Sequence, residues 1–197
     1  MGKNKKDLRQ CEAKIKAIYD LINSNLNIEK VVLATRMGYM YDIGFGAIES
    51  KPWNYHYADY FEKNASYNQK AEFKRVVEDT FAYFESKKNV EFYYLMEDPE
   101  LGFSPKSCSK RPFGLFGKDC KITIKTYLDR AGEYRDFIAQ TSRKYPFAVI
   151  LDPKDLYCDD ESCYAVKDGL MLYADDDHHS VDGSMVQAKY FEDAIFK

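Results

Sequence analysis

Val31-Val-Leu-Ala-Thr35 is a short, continuous apolar run, the pattern of a strand buried on both faces in a parallel sheet. Upstream, Leu8, Cys11, Ile15, Ile18 and Ile22 recur at three-and-four spacing, which predicts an amphipathic helix over about 5–23. Asn23-Ser-Asn-Leu-Asn27 breaks the pattern before the strand begins. Downstream, residues 36–68 are aromatic-rich and punctuated by Gly38, Gly44, Gly46 and Pro52, with no clean period, and read as an irregular excursion. Phe73, Val77, Phe81 and Phe84 then predict a second helix over about 68–87. Val90-Glu-Phe-Tyr-Tyr-Leu-Met96 predicts a second buried strand. After a Gly/Pro/Lys loop, Tyr127, Ala131, Tyr134 and Ile138 mark a third helix, and Phe147-Ala-Val-Ile-Leu-Asp152 a third strand closed by Pro153. Gly169-Leu-Met-Leu-Tyr173 leads into an acidic loop. A last helix is expected from an N-cap at Asp182 or Ser184, with Met185, Ala188 and Phe191 turned inward. Alternation of helix and strand throughout is the mark of an α/β fold, a three-layer α/β/α sandwich with a parallel sheet, in one domain over 1–197.

Composition narrows the function classes. At 197 residues and 45% hydrophobic, the chain is long enough for one full core and does not require two. Charged residues are 31% of the chain and nearly balanced, with a net charge of -3, which leaves no basic face for nucleic acid. The basic start, Gly2-Lys-Asn-Lys-Lys6, is short and reads as a solvated end. No apolar run is long enough to span a bilayer, and the N-terminus lacks the layout of a signal peptide. On that ground alone the chain would stay in the cytoplasm. The five cysteines point the other way. Cys108 with Cys120, and Cys158 with Cys163, form two local pairs in polar surroundings, which suggests disulfides and an exported compartment. Free thiols and a metal site are the alternatives, although neither pair has the C-x2-C spacing common in zinc sites. Cys11, on the helix period of Leu8 and Ile15, reads as a core thiol.

Open parallel sheets collect their chemistry at the carboxyl ends of the strands. Two such ends are distinctive here, Thr35-Arg36 and Leu151-Asp152-Pro153. A third place is the loop Tyr173-Ala-Asp-Asp-Asp-His-His-Ser-Val-Asp-Gly183, which holds two of the three histidines. Asp175 stands three residues before His178, so its carboxylate can fold back onto the imidazole, fix the tautomer and stabilise the imidazolium formed in proton transfer. His178 is then suited to act as general base toward a hydroxyl. Spacing alone leaves a solvated acidic loop as the plain alternative, and Asp176, Asp177 and His179 are near enough to exchange roles with the pair. A divalent-metal site built from Asp175, Asp176, Asp177 and His178 is disfavoured, because consecutive carboxylates diverge along a loop. No cofactor is expected.

The ordered series Val149-Ile-Leu-Asp-Pro153, Cys158-x4-Cys163, Asp168-Gly-Leu-Met-Leu-Tyr173, Asp175-Asp-Asp-His178 and Ser180-Val-Asp-Gly-Ser184 resembles the end of the SGNH domain fused to the acyltransferase-three family of membrane O-acetyltransferases. Upstream, Val31-Val-Leu-Ala-Thr-Arg36 and the cysteine-bearing loop Glu97–Cys120 are similar to the same family's elements. The resemblance runs from about residue 8 to the end and is most specific over the last forty residues or so. It implies an SGNH/flavodoxin-like sheet, a Ser-His-Asp mechanism with Asp175 and His178 as acid and base, and Arg36 bordering the cleft to hold a substrate oxygen or offset oxyanion charge, with a structural ion pair to an acidic neighbour as the plain alternative for Arg36. It also implies a carbohydrate acceptor, a membrane acyltransferase domain in the same or a neighbouring polypeptide, and a periplasmic or other extracytoplasmic place.

The sequence departs from the family in two respects. His179 stands where the family usually has leucine. No Gly-Asp-Ser nucleophile block occurs, and the first strand that would carry it, upstream of the Leu8 helix, is missing from these residues. The chain therefore reads as an N-terminally incomplete piece of an O-acyltransferase or esterase. The alternative is a non-catalytic glycan-binding or interaction module using the aromatic residues around Trp53, Tyr55 and Tyr57.

Overall fold

The structure is a computed structural model, and it describes residues 5–25, 27–36, 40, 68–108 and 120–196, without the side chains of 5–11 and 107. Trp53, Tyr55 and Tyr57, on which the glycan-binding alternative rests, lie outside the described residues, as does the Cys11 side chain. In chain order the elements are α1 (Lys5–Ser24), β1 (Lys30–Ala34), α2 (Gln69–Glu85), β2 (Glu91–Leu95), a 3-10 turn (Pro105–Cys108), β3 (Lys121–Thr123), α3 (Ile124–Lys144), β4 (Val149–Leu151), the single turn α4 (Lys154–Tyr157), β5 (Ser162–Tyr164), β6 (Val166–Lys167), β7 (Leu170–Met171) and α5 (Val181–Ile195).

The three strands expected from the apolar runs form one parallel sheet in the order β1-β2-β4. Lys30 to Ala34 lie opposite Glu91 to Leu95, and Tyr93 to Leu95 opposite Val149 to Leu151. Side chains alternate across the central strand. Phe92 and Tyr94 enter a large core with Phe81 and Phe84 of α2 and Tyr127, Ala131, Tyr134 and Ile138 of α3. Tyr93 and Leu95 face the other way, toward Leu151 and, from α5, Tyr190, Phe191, Ala194 and Ile195. The result is an α/β/α sandwich, as expected.

Both long core helices are capped by the residue just before them. Asn68 Oδ1 accepts the Ala71 N–H at the start of α2, and Thr123 Oγ1 that of Thr126 at the start of α3, both at 3.0 Å. Aromatic rings fill the layer between them and the sheet. Phe84 stacks on Phe92 at 4.3 Å, and Phe81 meets the same ring edge-on at 5.2 Å.

Burial differs from expectation at β1. Val31 and Leu33 pack on the large core, but Val32 is half exposed, because the apolar residues of α5 cluster with Tyr93, Leu95 and Leu151 of β2 and β4. The apolar face of α1 is also largely uncovered. Ile22 packs against the core and Tyr19 meets Tyr83 edge-on, while Ile15, Ile18 and Leu21 are exposed.

Two small antiparallel pairs were not foreseen, β3 with β5 and β6 with β7. The cysteines pair as the spacing suggested, Cys108 with Cys120 and Cys158 with Cys163. The second disulfide bridges the residue after α4 to β5, and so fixes Tyr157, the last residue of α4, beneath the acidic loop.

Candidate active site

The acidic loop is closed at its base before any side chain acts. Tyr173 and His179 form an isolated antiparallel bridge, and the Ala174 N–H donates to the His178 carbonyl at 2.8 Å. Inside that short closure, Asp175 Oδ1 accepts the backbone N–H of His178 at 2.8 Å and of Asp177 at 3.2 Å, an Asx turn built by the chain's own sequence. The same carboxylate reaches the imidazole: His178 Nδ1 lies 3.0 and 3.1 Å from its two oxygens. One side chain therefore shapes the loop and orients the ring.

A third member comes from Asp177. Its Oδ1 is 2.8 Å from the same Nδ1, and its Oδ2 is ion-paired with Arg36. Arg36 follows β1, and its guanidinium also faces Glu100 at 3.1 Å and Glu97 at 3.6 Å. Arg130 of α3 approaches Glu100 at 3.4 Å from the other side. The end of β1, the loop after β2, α3 and the acidic loop thus meet in one ionic network beneath His178. Arg36 is placed at the carboxyl end of the sheet as expected, but its charge is met by three carboxylates.

The imidazole itself stays open, with the His178 side chain 74% exposed. Its Nδ1 edge is turned to the two carboxylates, which leaves Nε2 as the edge available to a substrate or nucleophile. Pairing with Asp175, then the nearby charge of Asp177, raises the His178 pKa above its ordinary value, against opposing effects of desolvation and of Arg36. Burial works to raise the Asp175 pKa, but the two backbone N–H bonds and the imidazole outweigh it and hold the carboxyl at about 2.

The neighbouring residues separate into other tasks. Asp176 turns into the core and its carbonyl accepts the Leu101 N–H at 2.8 Å. Asp175, Asp177 and His178 bring polar atoms within 4.8 Å of one another, but those atoms already make the imidazole contacts and the Arg36 ion pair. Asp176, which is buried, is not one of the three. The other strand end, Asp152, pairs with Arg135, and its N–H donates to Tyr190 Oη at 3.1 Å, which anchors α3 and α5 to β4. Of the site, the sequence offered Asp177 only as a residue able to exchange roles with the pair, and it missed Glu97 and Glu100. The signal for Asp177 was its place beside His178; nothing local pointed to the two glutamates, which come from a loop more than sixty residues after Arg36.

Among the described residues, no serine hydrogen-bonds the His178 imidazole. Ser180, the nearest in sequence, donates its hydroxyl to the Met171 carbonyl and accepts the Gly183 N–H at 3.0 Å, so it caps α5.

The family model of the SGNH domain fused to AT3 domains matches residues 1–193. The chain belongs to this family. No match was found among curated proteins or among solved structures. The SGNH domain described here has the α/β/α layers of the fold and two disulfides, and membership points to acyltransferase- or esterase-type modification. Among its described residues, no helix is long and apolar enough to cross a membrane. Two disulfides in this SGNH domain fit an oxidising compartment.

Proposed function

We propose that this domain supplies the acid–base half of a serine-dependent O-acyl transfer to surface carbohydrate, outside the cytoplasm, in concert with a membrane acyltransferase domain. The observation that carries the reading is His178, exposed at the carboxyl end of a parallel sheet with Nδ1 held by Asp175 at 3.0 Å. On this reading the nucleophilic serine is contributed from outside these residues, which contain no Gly-Asp-Ser.

In the first half-reaction His178 Nε2 takes the serine Oγ proton as Oγ bonds to the acyl carbonyl carbon. The imidazolium, stabilised by Asp175, returns that proton to the leaving group, and an acyl-serine ester remains. In the second half, a sugar hydroxyl gives its proton to Nε2 as its oxygen bonds to the acyl carbon, and the imidazolium passes that proton to the departing serine Oγ, which regenerates the serine. Water in place of the sugar makes the same sequence a hydrolysis. Arg36 acts here by holding Asp177 against the imidazole; with three carboxylates on its guanidinium it is poorly suited to take up oxyanion charge.

The test is the titration of His178 in this chain, followed by 15N NMR of the imidazoles. The expected midpoint lies above about 6.5, the ordinary histidine value, with the neutral ring protonated at Nδ1. A midpoint at or below that value, or a neutral ring protonated at Nε2, would show that Asp175 does not hold the ring as a base.

A further inference from the structure

The two histidines of the loop are adjacent and live in different surroundings. His179 is only 14% exposed in its side chain, against 74% for His178. Its ring lies flat on Tyr157, with centroids 5.0 Å apart and planes at 12°, and meets the edge of Tyr173 at 5.5 Å and 69°. Its Nε2 is 3.1 Å from Asp98 Oδ2. Asp98 cannot swing away, because Gln187 Nε2 of α5 contacts both of its oxygens at 2.9 Å. Tyr173 is fixed in turn by donating its hydroxyl to the Pro99 carbonyl at 2.8 Å. One largely covered imidazole thus joins the acidic loop to α4, to the loop after β2 and to α5.

We propose that His179 and Asp98 are positioning residues that set the direction of the catalytic imidazole, an assignment that rests on the acid–base reading of His178. The reason is the backbone. His179 directly follows His178 and lies in a β-bridge with Tyr173, so it is the fixed end of the turn from which the His178 side chain leaves. Holding the ring of His179 inward keeps that of His178 outward, above Asp175. The contact to Asp98 matters because stacking on Tyr157 alone leaves the ring free to slide or turn in its plane. The Asp98–Gln187 pair removes that freedom.

The experiment is the same His178 titration in Asp98→Asn and Gln187→Ala versions of this chain. His178 is faced by Asp175 and Asp177, with Arg36 behind Asp177, and His179 by Asp98, Tyr157 and Tyr173. Salt on the order of 0.5 M removes the long-range field of Asp98 itself. The chain has only three histidines, so each ring can be followed separately. The expected result is a fall of about half a unit or more in the His178 midpoint for Asp98→Asn, with mixed tautomers in the neutral ring. Gln187→Ala should shift it in the same direction by less, and it carries no change of charge. If both variants move only the midpoint of His179 and leave the midpoint and tautomer of His178 as they were, the assignment is wrong. Should Asp98→Asn fail to fold, Gln187→Ala decides. The unaltered chain keeps the two ideas apart, since an ordinary His178 midpoint there sinks the acid–base reading whatever the variants do.

Discussion

Asp175 is the residue on which most depends, because one carboxylate caps two backbone N–H groups and also holds the imidazole. Its spacing to His178 made the pair legible in the sequence, since three residues is the reach of an Asx turn that closes on itself. Arg36 was legible as a strand-end cation, but its partners were not: ion pairs across 64 and 141 residues leave no local pattern. The pH dependence of the loop follows from two opposite shifts. Asp175 is held at about 2, so its contribution is present above the ordinary carboxyl value near 3.9 and is lost as pH falls toward 2. His178 is shifted upward, so its contribution is present below about 6.5 and is lost as pH rises through the folded value. Both hold between about pH 4 and 6.5. Hydrogen-exchange protection of the His178 amide, corrected for intrinsic rates, should be greatest in that window and decline on either side. Protection that is flat with pH would argue that the loop is held by its backbone alone.

At the scale of elements, the long helices were readable because their buried positions repeat at helical spacing. All four residues used to mark α3 are buried, and α2 places Val77, Phe81 and Phe84 in the core. The last helix was misphased. Asp182 and Ser184 were plausible caps, but Ser180 caps it, and Met185 and Ala188 consequently face solvent while Val186, Tyr190 and Phe191 pack inward. Three capping-type residues at alternate positions cannot be separated by propensity; the choice is made by contact with Leu172. Ser180 N–H donates to the Leu172 carbonyl at 3.0 Å, and Gly183 sits so close that a Cβ there would lie 2.0 Å from that oxygen. Ser180→Ala should therefore cost about 1–2 kcal/mol. Gly183→Ala should cost about 1–3 kcal/mol by overpacking against backbone. Urea denaturation of each variant measures both, and a neutral Gly183→Ala would contradict the close approach. The β3–β5 and β6–β7 pairs escaped notice because two or three residues are too few to display a period-two pattern.

For the molecule as a whole, the parallel sheet was legible because its central strand is apolar on both faces and has a layer of helices on each. Where only one face is covered, as at Val32, the same apolar run gave too uniform a picture of burial. The cysteine pairs were legible from loop spacing, and they lie where the core is least regular. Cys108–Cys120 closes a loop across a sequence separation of 12, and Cys158–Cys163 one of 5. Chain-entropy arguments give roughly 2–3 kcal/mol for each. Reduction should lower the thermal midpoint measurably, and an unchanged midpoint after confirmed reduction would remove the disulfides from the stability account. The central claim remains that the Asp175–His178 pair is the working acid–base element for acylation of a surface carbohydrate. Its most direct test is the O-acetyl content of the surface polysaccharide, measured by NMR in cells that carry the gene intact or with His178→Ala or Asp175→Asn. The account predicts that His178→Ala lowers the content to that of a gene deletion, and that Asp175→Asn lowers transfer by about 100-fold or more. Acetylation at the intact level in His178→Ala cells would contradict it.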